Sequence, residues 1–238
     1  MDQRRDIQRL KNNFEIKNSH KHYLHYLSFN NELHNSVKTY ASGNLLDIGC
    51  GNKPYEKWFE NLVTDYIGCD IIQSNAKNVD VLCQANNIPF DDCSFQTVFS
   101  TQVIEHVADH QGMVNEAFRL LKTNGYFILS GPFVWPLHEE PYDFFRFTKY
   151  GFTYILEKAG FEIVEINESG GVWATLGLTI NHTLGFFNPK ANIIVRGVKS
   201  IFKRLKCHIL VNKICAYLDE KDFNPTQTSN YVIVATKK

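Results

Sequence analysis

The sequence predicts an α/β protein built on a mostly parallel sheet, and three observations carry that prediction. Leu45-Leu46-Asp47-Ile48 is an apolar run interrupted by one acid, and it opens into Gly49-Cys50-Gly51 just before a helical pattern near Tyr55. That reads as a buried strand entering a tight turn whose backbone can lie against a ligand. Asp70 closes a second apolar run about twenty residues on, the offset at which an acid can hold ribose hydroxyls in a nucleotide-binding α/β unit. Finally, short apolar runs alternate with helically spaced stretches, the signature of βαβ units.

Taken in order, residues 1–40 carry helical spacing (Ile7, Leu10, Phe14, then Tyr23, Leu27, Leu33, Val37) and are expected to form one or two helices before the sheet. Strands are expected at about 44–48, 65–70, 79–83, 96–100, 125–130, 161–167 and 231–235. Helices are expected near 55–61, 103–108, 110–121 and 149–159, with Thr148 as N-cap and Gly160 just past the C-terminus of the last. The whole reads as a single unit over 1–238: an N-terminal helical cap (1–40), a core (41–168), an additional helical segment (170–230) and a final strand.

That additional segment has no acid between Glu168 and Asp219, while Lys190, Arg196, Lys199, Lys203, Arg204, Lys206 and Lys213 fall inside the interval. Ile194, Val198, Ile201, Phe202, Leu205 and Ile209 recur at helical spacing, and Arg196, Lys199, Lys203 and Lys206 share another face. The stretch 193–213 is therefore expected to be a basic amphipathic helix. It is either a lid whose apolar side packs on the protein or a surface for anionic lipid.

Hydrophobic content of 44% and charged content of 21% are ordinary for a globular protein. A formal net charge of zero argues against a general nucleic-acid binder, which needs cations to neutralise phosphates. The six cysteines are scattered without a C-x-x-C, as expected of reduced thiols. The start of the chain has no apolar leader, and Val172–Phe187 is too short to span a bilayer. The expectation is a cytoplasmic protein, with peripheral contact at the inner membrane surface as the open alternative. Oligomeric state has no sequence signal.

The ligand at the glycine turn can be narrowed. A dinucleotide fingerprint G-x-G-x-x-G fails because Pro54 stands at its third glycine, and no G-x-x-x-x-G-K-[ST] phosphate loop occurs. An acid before G-x-G and a second acid at the ribose offset remain, so the expected ligand is an adenosine-type cofactor. With Ala85-Asn86-Asn87-Ile88-Pro89-Phe90, the strand Phe95–Ser100, Gln102-Val103-Ile104-Glu105-His106-Val107 and Arg119–Tyr126 following in order, the chain resembles the class I S-adenosylmethionine (SAM)-dependent methyltransferases, especially the small type 11 group. The resemblance spans roughly residues 40–168. It implies a Rossmann-like, doubly wound sheet of seven strands with the last antiparallel, and SAM as cofactor.

It also implies roles. Asp47 would orient the first loop and the cofactor's ammonium, and Gly49, Cys50 and Gly51 would line the methionine part. Asp70 would accept from the ribose hydroxyls, with Ile71 under the adenine, Ala85 and Asn86 flanking it and Gln84 accepting from its amino group. Thr101 and Gln102 would meet the amino-acid end. Two positions depart from the family pattern: Lys53 where a third glycine is frequent, and Gln84 where Asp is common.

The segment Gly131–Thr148 reads as a polar-aromatic loop at the carboxyl end of the sheet. It resembles the P-x-H…P-x-D-x-x-R-x-T stretch of type 11 enzymes encoded with surface-polysaccharide pathways. His138 is the candidate base for a hydroxyl acceptor or else a structural loop histidine, and His106 is the second catalytic candidate on the same terms. Asp143 and Arg146 are expected to pin the loop as an ion pair. Trp135, Tyr142, Phe144 and Phe145 either line an acceptor pocket or hold the loop on the core. His138, Glu139 and Asp143 lack a recognised metal spacing, so no metal is expected. The expected activity is O-methylation of a sugar, glycan or small polar metabolite. The competing readings are N- or C-methylation of a lipid-like or quinone acceptor, and a non-catalytic SAM-binding module.

Overall fold

A computed structural model describes residues 16–185 and 190–238, so the expected helical positions Ile7, Leu10 and Phe14 lie outside the described residues. Seven strands, β1 Gly43–Ile48, β2 Val63–Asp70, β3 Val81–Leu82, β4 Phe95–Thr101, β5 Leu121–Pro132, β6 Glu162–Ser169 and β7 Asn230–Thr236, form one sheet in the order β3-β2-β1-β4-β5-β7-β6. The first five pair in parallel, whereas β7 runs antiparallel between β5 and β6. The chain winds outward from β1 to β3, then crosses back to β4. This places the topological switch point, where open α/β sheets bind ligands, between the carboxyl ends of β1 and β4.

Side chains of successive strand residues enter opposite layers, as the period of two requires. Leu46, Val98, Phe127, Leu129 and Ile233 pack against Met113, Val114 and Ala117 of α2 (His110–Leu120) and Phe152, Ile155 and Leu156 of α3 (Lys149–Lys158). Leu45, Phe99, Ile128, Val232 and Val234 face the other way, onto Phe29, Leu33 and Val37 of α1 (Tyr23–Tyr40). The Thr148 hydroxyl accepts from the Gly151 amide as the N-cap of α3, and Gly160 takes φ +100° just past its end.

Two expected helices are single 3₁₀ turns instead. Residues 55–61 contain only Glu56–Trp58, and 103–108 only Ile104–His106. In the first case the chain spends Gly49–Lys53 on its turn and Asn61 adopts a left-handed φ of 66°, which ends any helix before it can propagate. The N-terminal α1 supplies the helical cover for that face. The expected strand 79–83 shrinks to two residues, because the Asp80 side chain turns back to accept from the Gly68 amide.

The added segment forms α4 (Val172–Gly185), α5 (Ile193–Arg204) and α6 (Cys207–Lys221). The expected continuous helix over 193–213 is broken at Lys206, which takes φ 51°, so Ile209 belongs to the next helix. The break lets α6 fold back along α4. There the buried Asn181 amide donates to the Asn212 carbonyl oxygen, and the Asn212 amide donates to the Asn18 and His20 carbonyls. Asp219 caps α4 by accepting from the Gly171 and Ala174 amides. No residue of α5 is buried: Phe202 is partly covered where the helix meets α4 and α6, but Ile194, Val198, Ile201 and Leu205 stay exposed, so most of its apolar side is not covered as the lid alternative required. Among the described residues no helix is long and apolar enough to cross a membrane.

His22, His25, His182 and Trp135 join α1, α4 and the loop after β5, with His25–Trp135 and His182–Trp135 ring centroids 4.8 and 5.0 Å apart. The Asn230 amide lies 3.1 Å from His25 Nδ1, placed to donate to a neutral ring. Burial, aided by the neighbouring His182, lowers the His25 pKa to about 3. A folded pKa below the usual 6.5 means that the unfolded chain takes up a proton the folded chain refuses, so stability falls as pH drops below about 6.5 and toward 3. At pH 5 His25 should cost about 2 kcal/mol relative to pH 8. Urea titrations at the two pH values should show at least that loss, to which His22 and His182, lowered to about 3 and about 4, add in the same direction, and His25→Gln should reduce it. An unchanged pH dependence in the variant would place the acid sensitivity elsewhere.

Candidate active site

The first loop is built by non-local constraints. The Gly49 and Cys50 amides both donate to the Cys69 carbonyl, at 2.8 and 3.1 Å, which folds the turn over the end of β2. Gly49 has φ +76°, and a Cβ there would strike the Val103 side chain at 2.3 Å. Gly51 has φ +51° with nothing within 4 Å of a would-be Cβ, so its backbone is open to a ligand lying across it. Gly68 is bare for a different reason: a Cβ would meet Cys50 Sγ and Lys53 Cε. Lys53 itself adopts φ 51°, the conformation a third glycine would offer, and its ammonium is held 2.6 Å from Asp80.

The two acids flank this turn. Asp47 is buried and accepts from the Tyr66 hydroxyl, whose pKa burial and that carboxylate raise well above its usual value. Asp70 Oδ2 accepts from the Gly51 amide at 3.1 Å and Oδ1 from the Ile71 amide at 2.7 Å. Oδ1 also takes a longer bond from the Ile72 amide at 3.4 Å, so the open acceptor capacity of the carboxylate lies chiefly on Oδ2. Ile71 is half-exposed beside it, and Gln84 lies just past the end of β3 in a tight turn where the Asn87 amide donates to its carbonyl. The Asn86 amide is committed to Asp109, the N-cap of α2, at 2.7 Å. Thr101 ends β4, and Gln102, at φ 56°, turns its side chain onto the Ser130 hydroxyl while its backbone amide donates to the Ser130 carbonyl. These residues sit on the carboxyl ends of β3, β2, β1 and β4 in spatial sequence, which suits a nucleoside with acids holding its ribose and amino-acid ends.

Beyond β5 lies a second constellation. Glu105 is fully buried, and its carboxylate stands 3.7 Å from His106 Nε2 and 4.0 Å from His138 Nε2. Glu139 approaches His106 Nε2 to 3.9 Å, and the two imidazoles meet edge-on at 4.7 Å. Each ring is steered from its other nitrogen: His106 Nδ1 lies 2.8 Å from the Tyr142 carbonyl, and His138 Nδ1 3.2 Å from the Asp143 carboxylate. With Nδ1–H donating in both, both Nε2 lone pairs face Glu105. Burial lowers the His106 pKa, offset in part by the Tyr142 carbonyl and by Glu139.

Asp143 and Arg146 form the expected ion pair, at 2.6 and 2.7 Å in bidentate geometry, and Arg146 also donates to the Trp135, Pro136 and Phe145 carbonyls. Burial alone would raise the Asp143 pKa, but the guanidinium and the His138 amide outweigh it and hold the carboxyl down to about 2. The aromatics chiefly fasten the loop, Trp135 onto the α1–α4 histidines and Phe145 onto His110 and Phe147. Glu105, His106 and His138 offer ligand-type atoms within 4.8 Å of one another, a different trio from the one weighed by spacing. Their separations exceed the roughly 3.3 Å between donors around a tetrahedral zinc. The geometry suits proton handling better. Sequence reasoning missed Glu105, Tyr66, Gly68 and Asp80. Only Glu105 carried a signal, as the neighbour of His106.

Fold and loop geometry together place the glycine turn and both acids at the ligand-binding edge of an α/β sheet, with a second polar cluster near them. Residues 46–129 match the family described as the methyltransferase domain, type 11. A protein of Mycolicibacterium smegmatis described as a probable S-adenosylmethionine-dependent methyltransferase is 28% identical, over 58% of this chain and 58% of that one. The chain thus spans less than two thirds of the length of that curated relative. Among solved structures, a SAM-dependent methyltransferase from Archaeoglobus fulgidus aligns with TM-score 0.54 and 17% identity, covering 92% of this chain and 95% of that one. The (4+2)-cyclase SpnF aligns with TM-score 0.56 and 14% identity, covering 88% and 80%. At such identities the structures speak to the fold alone. Over residues 46–129 the chain is thus similar to that methyltransferase-domain family, and its sheet has the class I methyltransferase arrangement.

Proposed function

We propose that this chain is a SAM-dependent O-methyltransferase acting on a hydroxyl of a sugar, glycan or small polar metabolite, with His138 as the base. The observation that carries this reading is the pair of imidazoles whose Nδ1 atoms are held by oxygen acceptors while their Nε2 atoms converge on buried Glu105. When bound, SAM supplies a methyl already activated on a sulfonium for in-line displacement. The protein's share is alignment, exclusion of water and, for a hydroxyl, removal of a proton. In this reading Asp47 and Asp70 hold the two ends of the cofactor and Gly49–Gly51 leaves room for it. The Pro136 carbonyl and the adjacent Asp143 carboxylate orient His138 through Nδ1, and Nε2 takes the acceptor's proton. Glu105 then faces the imidazolium and stabilises it. His106, less exposed and pinned to Tyr142, positions its partner ring.

Incubation with SAM and a panel of glycosides and small polyols, followed by mass spectrometry for S-adenosylhomocysteine and for the methylated product, tests the proposal. Methyl ethers are expected. Turnover confined to amine or quinone acceptors would replace the O-methyl reading. Tight binding of S-adenosylhomocysteine without turnover on any acceptor class would favour the non-catalytic module.

A further inference from the structure

The least explained surface is α5. A soluble helix ordinarily hides its apolar stripe, yet here Ile193 is 85% exposed, Ile194 74%, Ile201 59% and Leu205 68%. Val198 belongs to the same stripe and is half-exposed. Arg196 and Lys203 are exposed on the other side of the helix and Arg204 on its flank, and the run from Val172 to Leu218 contains no acid to balance them. Asn192 caps the helix by accepting from the Val195 amide, so it is a formed helix. The next helix extends the apolar surface with exposed Leu210, Ile214 and Tyr217.

We infer that α5 docks this protein on an anionic lipid bilayer, its isoleucine–valine–leucine stripe in the acyl boundary and its basic side against the head groups. The argument is charge complementarity combined with an apolar stripe open to the surroundings, the two features that hold amphipathic helices in an interface. A second copy would cover the apolar stripe but leave the basic side, with no acid from Val172 to Leu218, without a counter-charge, whereas an anionic bilayer engages both. The docking helix packs beside α4 and α6, and α4 touches the acceptor loop. It follows α4, whose last-turn His182 packs on Trp135 in the loop that carries His138. The inference stands independently of which acceptor is methylated.

Flotation of the full chain with vesicles of phosphatidylcholine containing about 30 mol% phosphatidylglycerol, and with phosphatidylcholine alone, tests it. Binding is expected to the anionic vesicles only, weakened by added salt. It should fall at least tenfold both in Arg196→Glu/Lys203→Glu and in Ile194→Asp/Ile201→Asp. All of these side chains are exposed, and affinity for S-adenosylhomocysteine, measured in parallel, should stay at the wild-type value to show an intact fold. Absence of wild-type flotation, or equal flotation of both variants, would overturn the inference. So would a concentration-dependent dimer, abolished by Ile194→Asp/Ile201→Asp, in a protein that ignores vesicles.

Discussion

His138→Ala should lower methyl transfer to a hydroxyl acceptor by about 10²–10⁴-fold, equivalent to roughly 3–5 kcal/mol of barrier, the range of a positioned general base. Affinity for S-adenosylhomocysteine should barely change, because the ring lies on the β5 loop and not on the first-loop acids. Structural loss is expected to be small, since the side chain is part-exposed and the Asp143–Arg146 pair that fastens the loop stays intact. His138→Gln keeps a polar side chain but has no basic nitrogen, so it should be as slow as the alanine variant. If His138→Gln retains full turnover, the ring is a structural loop residue. His106→Ala provides the contrast: it removes a buried partner of the Tyr142 carbonyl and should reduce stability as well as rate.

Asp70→Ala should weaken cofactor binding by about 3 kcal/mol, roughly 10²-fold, from the loss of two charge-assisted hydrogen bonds to the ribose. Part of that loss comes through the loop, because Asp70 also anchors the Gly51 amide. Asp70→Asn separates the contributions: it can keep one acceptor oxygen for the backbone but offers an NH₂ where a hydroxyl must donate. Calorimetry with S-adenosylhomocysteine reads both variants, and wild-type affinity in Asp70→Ala would end the ribose assignment. Turnover at saturating SAM should recover more fully than binding, since Asp70 lies away from the acceptor side.

Most of the strand-and-turn frame around β1 and β2 was legible in the chain because its signals are short-range. The strand ending at Ile48, the glycines that must take positive φ and the Thr148 cap each answer to local sterics or to hydrophobic period. The errors have non-local causes. Residues 55–61 were periodic enough to read as a helix, but the preceding turn used up the chain length. The helix read across 193–213 has the right faces, but the Asn212 contacts with Asn18 and His20 require α6 to turn back at Lys206. Gln102 and Asn86 face partners, Ser130 and Asp109, that no spacing rule predicts.

Asp47, the glycine turn and Asp70 by themselves determined the strand–turn–strand frame at this edge of the sheet, since strand period and backbone handedness are written in neighbouring residues. Only the tertiary structure decided that Glu105 sits against His138, thirty-three positions away, and that the greasy side of α5 faces outward. Such pairings arise where the sheet order and the packing of α1, α4 and α6 bring distant segments together. A helix with one apolar side has the same sequence pattern whether that side is covered by protein or left for something else to cover.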